Sequence, residues 1–233
     1  MNLKCEVSCD LCEDIAALRR KLQKMDKKRI IFLDETAVRI SEAPTSTLVA
    51  PGEQSYVIVE DTTTYAERYD MIACINGEQT FAPCVFTPED RRGYHAQGIT
   101  NEMLVDYILN IFGQELAALD KPPLTLILDR AAIHNKEKLL EAFNQRGGHV
   151  LDIIYMPTQA AKRMSPLDNS LFHIWKERVR KRCPLTKTNI QQIMCDEWNN
   201  LKKEDIQPQF RQCRLMIRQD VYDDCPESHD HCH

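Results

Sequence analysis

Three aspartates stand where a fold could gather them. Ile30-Ile31-Phe32-Leu33 runs into Asp34, Leu124-Thr125-Leu126-Ile127-Leu128 runs into Asp129, and Asp168 opens a helical pattern within Ser165-Pro166-Leu167-Asp168. Each apolar run reads as a short strand buried on both faces. Ligand sites in open α/β sheets lie at the carboxyl ends of strands. If the two strands are parallel neighbours, Asp34 and Asp129 approach closely, and two such carboxylates repel unless a cation lies between them. Oxygen-only ligands favour a hard cation, Mg²⁺ or Mn²⁺. With Asp168 added, the set could hold two ions. Such a cage suits in-line displacement at a phosphodiester, one ion activating the attacking hydroxyl and the other stabilising the leaving oxygen. Taken singly, each residue has a plainer reading. Ser165-x-x-Asp168 with Pro166 fits a capping box, and a strand-terminal aspartate often forms a turn.

The elements around these residues follow from hydrophobic period. Residues 10–28 read as a helix, with Leu11, Ile15, Leu18, Leu22 and Met25 on one side. It is expected to lead into the domain rather than join its core. The first strand ends at Asp34, residues 44–51 read as a loop, and Ser55–Val59 as a second strand. Tyr69–Ile75 and Thr80–Phe86 flank Asn76-Gly77, a strong hairpin signal. From Thr100 a stripe of Met103, Leu104, Tyr107, Ile108, Ile111, Phe112 and Leu116 predicts a helix, stopped by Pro122-Pro123. After Asp129, Asn135 can cap a helix that Gly147-Gly148 closes, and Val150–Met156 reads as a strand. Ser165-Pro166 opens a long helix with Leu171, Trp175 and Val179 facing the core. Further helices are expected at 189–201 and 209–221.

With these elements in place, three segments have a joint resemblance: FLDET at Asp34, ILDRAAIHN at Asp129, and YMPTQAAKRMSPLDNSLFHIW around Asp168. Together they resemble transposases of the mariner superfamily, including its pogo-like branch, over roughly residues 30–182. The resemblance implies an α/β, ribonuclease-H-like fold: a mixed central sheet, three antiparallel strands followed by parallel ones, with helices on both faces. It implies cut-and-paste DNA transposition by a DDE/D endonuclease and strand transferase. Asp34, Asp129 and Asp168 would be the catalytic metal ligands for two Mg²⁺ or Mn²⁺ ions. The implied partners are DNA, as transposon ends and target, and a second copy of the chain. The 38 residues between Asp129 and Asp168 suit the family. Arg130 stands where the family usually has asparagine, and could pair with Asp129 or hold a DNA phosphate. In the branch with a glutamate third ligand, that position aligns with Phe172. Family transposases carry helix-turn-helix domains ahead of the catalytic domain, whereas 29 residues precede the first strand here. The chain is expected to lack end recognition.

Beside the triad, Glu35, Arg130 and His134 are candidates for supporting roles. Glu35 would face the side of the strand opposite Asp34, and His134 could touch DNA, orient a metal-bound water, or be a loop histidine near a helix start. The net charge of −5 weighs against a protein holding DNA by bulk charge. Two runs offset it: RRKLQKMDKKR with seven basic groups and KERVRKR with five. From the second, Lys176, Arg178, Arg180, Lys181 and Arg182 could line a DNA channel or form a solvated helix face. The ten cysteines are scattered, without a secretion signal, so free thiols are expected, Cys74 and Cys84 as small buried hydrophobes. Cys5, Cys9 and Cys12 have passable zinc spacing without a second pair nearby, and the His/Cys tail could bind a metal adventitiously. With no apolar run of 18 residues, no membrane-spanning helix is expected, and the protein is placed in the nucleus or cytoplasm, not secreted. The expected organisation is a helical lead-in at 1–29, a catalytic domain at 30–183, C-terminal helices at 184–222 and a disordered tail at 223–233. Two other functions fit the same pattern: a catalytically silent, domesticated module that binds DNA or protein, and a ribonuclease acting on RNA–DNA hybrids.

Overall fold

The computed structural model describes residues 9–42, 51, 52, 54, 66–118 and 124–216. The strand expected at Ser55–Val59, the proline stop at 122–123 and the tail lie outside them. So does Cys5 of the zinc spacing.

A five-stranded sheet in the order β3-β2-β1-β4-β5 forms the centre. β1 (Ile30–Arg39) pairs antiparallel with β2 (Arg68–Ile75), and β2 pairs antiparallel with β3 (Cys84–Phe86). On its other side β1 pairs in parallel with β4 (Leu124–Leu128), and β4 with β5 (Val150–Tyr155). The order of three antiparallel strands, then parallel ones, is the one expected. The hairpin turn also falls at Asn76-Gly77, where Asn76 Oδ1 accepts from the backbone of Glu78 and Gln79. One boundary differs. β1 continues five residues beyond Asp34, because residues 34–39 pair with 68–73 of β2. The polar Asp34-Glu35-Thr36 looks like a strand end only while its antiparallel partner is out of view.

Side chains alternate across the sheet, as the pleat requires. Ile30, Phe32 and Ile127 enter one core, and Ile31, Leu33, Leu126 and Leu128 enter the other. The second core is covered by a helix with a wide turn in its middle: α3 (Asn101–Tyr107), a π-helical turn (Ile108–Phe112) and α4 (Gly113–Ala118). Thr100 caps it by accepting from Met103 N. The wider turn keeps Leu104, Ile108, Phe112 and Leu116, each four residues apart, buried on one face. α5 (Lys136–Gln145), capped by Asn135, completes that layer, and Gly147 and Gly148 close it with φ of 106° and 66°.

The first core takes α7 (Phe172–Arg180), α8 (Ile190–Asn199) and α9 (Lys203–Gln212). Trp175 is fully buried there, its indole N–H donating to Met194 O. Burying a side chain of this kind contributes about 1.5–3 kcal/mol. α9 begins at Lys203, ahead of the expected start at 209, with Pro208 inside it. α1 (Cys9–Gln23) also belongs to this core, through Ile15 and Leu22. Its Arg19 donates to the carbonyls of Cys213 and Arg163. The helix read as a lead-in therefore packs on the domain, held by segments far away in sequence.

Candidate active site

The parallel pairing of β1 and β4 sets Phe32 level with Ile127. Beyond that pair, Asp34 continues β1 and Asp129 directly follows the last residue of β4, close enough for its charge to act on Asp34. By the alternation that sends Phe32 into the α7 core, Asp34 projects toward that layer. There a short helix α6 (Ala161–Met164) leads to Ser165 and Pro166, and a second π-helical turn (Leu167–Leu171) runs on into α7. Ser165 Oγ accepts from Asp168 N at 3.2 Å, so the serine caps this turn. Leu167 and Leu171 are buried, which turns Asp168 between them toward β1. Isolated π-turns are frequent at functional sites.

Asp34 and Asp168 lie within hydrogen-bonding reach of each other. Two carboxylates in contact require a proton or a cation between them. Burial pushes the Asp34 carboxyl well above the usual range, and the charges of Asp168, Glu35 and Asp129 push it further. Burial also raises Asp168, with the bond from Asp34 working against that rise. Both shifts favour a proton between the two carboxyls. A hard cation among oxygen donors would take that proton's place, so the residues present fit Mg²⁺ or Mn²⁺. Among the described residues no three His, Cys, Asp or Glu side chains close into a finished cage. Asp129 is tied elsewhere: its Oδ1 accepts from Ala131 N at 2.9 Å and pairs with His134 Nδ1 at 2.7 Å.

His134 is buried, so the sequence reading in which it touches DNA does not hold. Its Nε2 lies 3.0 Å from Glu35 Oε1. Burial alone would lower its pKa, but the bonds and charges of Glu35 and Asp129 outweigh that and raise it to about 9. Glu35, facing away from Asp34, therefore reaches Asp129 through the ring. The sequence gives no signal for this contact, because 99 positions separate Glu35 from His134. Arg130 is exposed, and Asp129 takes His134 as its ion-pair partner. Phe172 is buried against Trp175 and Trp198 and serves the core.

The basic run on α7 is mostly engaged within the molecule. Arg178 pairs with Asp205, Arg180 with Glu42 and Glu177, and Arg182 with the nearly buried Glu197. Lys181 is exposed. Lys176 is half-buried, within electrostatic reach of Asp168, and its pKa is lowered by burial first. A lysine not anticipated from sequence also stands beside the acids: Lys162, with Gln159, Ala161 and Asp168, lines a cavity of about 420 Å³. Gln159 adopts a φ of 67°, uncommon outside glycine. Cys74 and Cys213 are buried and Cys12 exposed, all of them free thiols. No helix among the described residues is long and apolar enough to cross a membrane.

Comparison with known proteins adds a family and a fold. Residues 29–190 match the family model described as DDE superfamily endonuclease. No curated protein sequence matches the chain. Among solved structures, it is similar to the Mos1 transposase paired-end complex with the left transposon end, at a TM-score of 0.64 and 10% identity, covering 92% of this chain and 62% of that one. It is also similar to the catalytic domain of Mos1 mariner transposase, at a TM-score of 0.60 and 10% identity, covering 90% of this chain and 91% of that one. A third match is the Mos1 catalytic domain with Raltegravir and Mg, at a TM-score of 0.61 and 9% identity, over 90% of this chain and 94% of that one. The fold shared with these structures is ribonuclease-H-like. The chain spans 62% of the transposase in the paired-end complex.

Proposed function

The chain belongs to the DDE superfamily endonucleases, and from that premise we propose that it is the catalytic domain of a mariner-like DNA transposase, cutting and joining phosphodiesters with Mg²⁺ or Mn²⁺. The observation that carries this reading is the meeting of Asp34 and Asp168, with Asp129, just past the end of the neighbouring parallel strand, close enough for its charge to act on both. Asp34, Asp129 and Asp168 would hold the ions. Bound there, the ions would supply Lewis-acid stabilisation to the attacking and leaving oxygens of an in-line displacement. Water is the first nucleophile and a DNA 3′-hydroxyl the second. The chain's own contribution is to fix three carboxylates on rigid elements and to shield Asp34 from bulk water. Lys162 and Lys176, beside Asp168, are placed to meet the phosphates of a bound strand. The natural partners are DNA, as transposon ends and target, and a second copy of the chain. For such an activity the nucleus of a eukaryotic cell is the expected location.

A second reading, a catalytically silent module that grips DNA or protein, draws on Asp129, whose carboxylate already has an ion-pair partner in His134, and on the neighbouring Arg130. One experiment separates the two. Supercoiled plasmid is incubated with the chain and Mn²⁺, beside a thermal-melting titration with the same ion. The nuclease reading expects nicking that Asp34→Ala and Asp129→Ala abolish, and a rise in Tm on adding Mn²⁺ that Asp129→Ala removes. Equal nicking by all three proteins rejects the mechanism. Absence of both nicking and the Tm shift in the unaltered chain leaves the binding module.

A further inference from the structure

Both ring nitrogens of His134 face acceptors. Nε2 lies 3.0 Å from Glu35 Oε1, and Nδ1 lies 2.7 Å from Asp129 Oδ1 and 3.1 Å from the Asp129 carbonyl. A carboxylate accepts, so both ring nitrogens are oriented to donate, one toward each acid. It is shut away from solvent, its side chain 0% exposed. The segment that carries it is fixed from three sides. Asn101 Nδ2 donates to Ile133 O at 2.7 Å, the Tyr155 hydroxyl donates to His134 O, and Asp129 Oδ1 accepts from Ala131 N. A loop held this firmly around one buried imidazole does more than cap α5, which Asn135 already caps.

We propose that Glu35, acting through His134, is a positioning residue for Asp129: the two form a clamp that fixes one Asp129 oxygen and presents the other to a divalent cation. This rests on the metal-site reading above. The strand pleat makes the clamp possible. Asp34 goes to one face of β1 as a candidate ligand, and Glu35 goes to the other, where the loop after β4 brings His134 to it. Adjacent residues of one strand thus serve the same site from two sides of the sheet. A carboxylate ligand bonded in this way loses rotational freedom before the ion arrives, and partners of this kind typically carry 10–100-fold in metal affinity.

The test uses the full chain and Mn²⁺ as probe, with the dissociation constant read by electron paramagnetic resonance. Glu35→Asp keeps the charge but is one methylene too short to reach Nε2. Glu35→Gln drops the charge but keeps an oxygen that accepts from Nε2. The clamp predicts that E35D weakens Mn²⁺ binding by about 10–100-fold, while E35Q stays near the unaltered chain. A residue acting only through its charge would give the reverse order, and that result overturns the proposal. So does an E35D chain that binds as tightly as the original. Melting curves establish that both variants are folded at the temperature of the titration. If the unaltered chain binds no Mn²⁺ at all, the metal-site reading itself fails and takes the clamp with it, an outcome distinct from equal binding by the variants.

Discussion

Asp34 and Asp168 cannot both be ionised in contact without a cation between them. In the metal-free chain at neutral pH their meeting opposes folding, because the raised carboxyls must either stay protonated or repel. A carboxyl whose folded pKa is raised lends stability that is fully present below its unfolded pKa, near 4. That stability is lost as pH climbs through the folded value. Asp34→Asn keeps the hydrogen bond to Asp168 and removes the charge. In EDTA at pH 7 the variant should melt a few degrees above the original, since about 1 kcal/mol moves Tm by roughly 2–4 °C in a domain of this size. The gain should shrink as pH falls toward 4. Excess Mn²⁺ should reverse the order, because only the original can bind it well. Differential scanning calorimetry in both buffers reads this, and a variant less stable than the original in EDTA contradicts the assigned contact. The three aspartates were visible in the sequence because each adjoins an unmistakable element. The clamp was not, because His134 looks like any histidine near a helix start until the fold delivers Glu35 to it from the far side of a strand.

At the scale of elements, the two π-helical turns carry information that spacing alone half reveals. The stripe from Met103 to Leu116 predicts a helix and its buried face, but an added residue in one turn leaves a hydrophobic pattern almost unchanged. Gly113, at the end of the first wide turn, tests the geometry. In an ordinary helix Gly→Ala stabilises by roughly 0.5–1 kcal/mol. Here a Cβ would lie 2.5 Å from Ile108 O and 2.9 Å from Arg146 Cγ. The arginine can move, but the carbonyl belongs to the turn itself. Gly113→Ala should therefore destabilise the chain, by about 1–3 kcal/mol, read as a lower urea midpoint. A higher midpoint would mean that the turn closes as a regular α-helix. Sequence reasoning placed the sheet, its order and most helices, since strands buried on both faces and capped helices advertise themselves. It misjudged ends wherever a distant partner decides them. β1 runs on because β2 pairs with it, and α9 starts six residues before its expected start because Asp205 accepts from the Lys202 backbone N–H. Pro208 lies inside this helix, and its one missing backbone donor is tolerated where Ile206 and Phe210 are fully buried.

At the scale of the whole molecule, the question is how a chain of net charge −5 would hold a polyanion. Charge that is already paired inside the fold contributes little to phosphate binding, and the Arg178, Arg180 and Arg182 pairs join α7 and the turn after it to Asp205, Glu42 and Glu197. These arginines belong to the architecture. Removing Arg180 leaves Glu42 and Glu177 facing each other, so Arg180→Ala should lower Tm. It should leave the salt dependence of DNA binding nearly unchanged. Lys176 and Lys162, close to Asp168, are the groups that a strand entering the site would meet. Each phosphate contact contributes about 0.9 to the slope of log affinity against log salt on duplex DNA. Lys162→Ala and Lys176→Ala should each reduce that slope by about one such contact, and the exposed Lys162→Ala should leave Tm within about 1–2 °C, the usual reach of a surface change in a domain this size. Fluorescence anisotropy with a duplex oligonucleotide, repeated over a range of salt concentrations, measures both effects. If Arg180→Ala lowers the slope and the two lysine variants do not, then DNA approaches along the outer face of α7, and those ion pairs open when it binds.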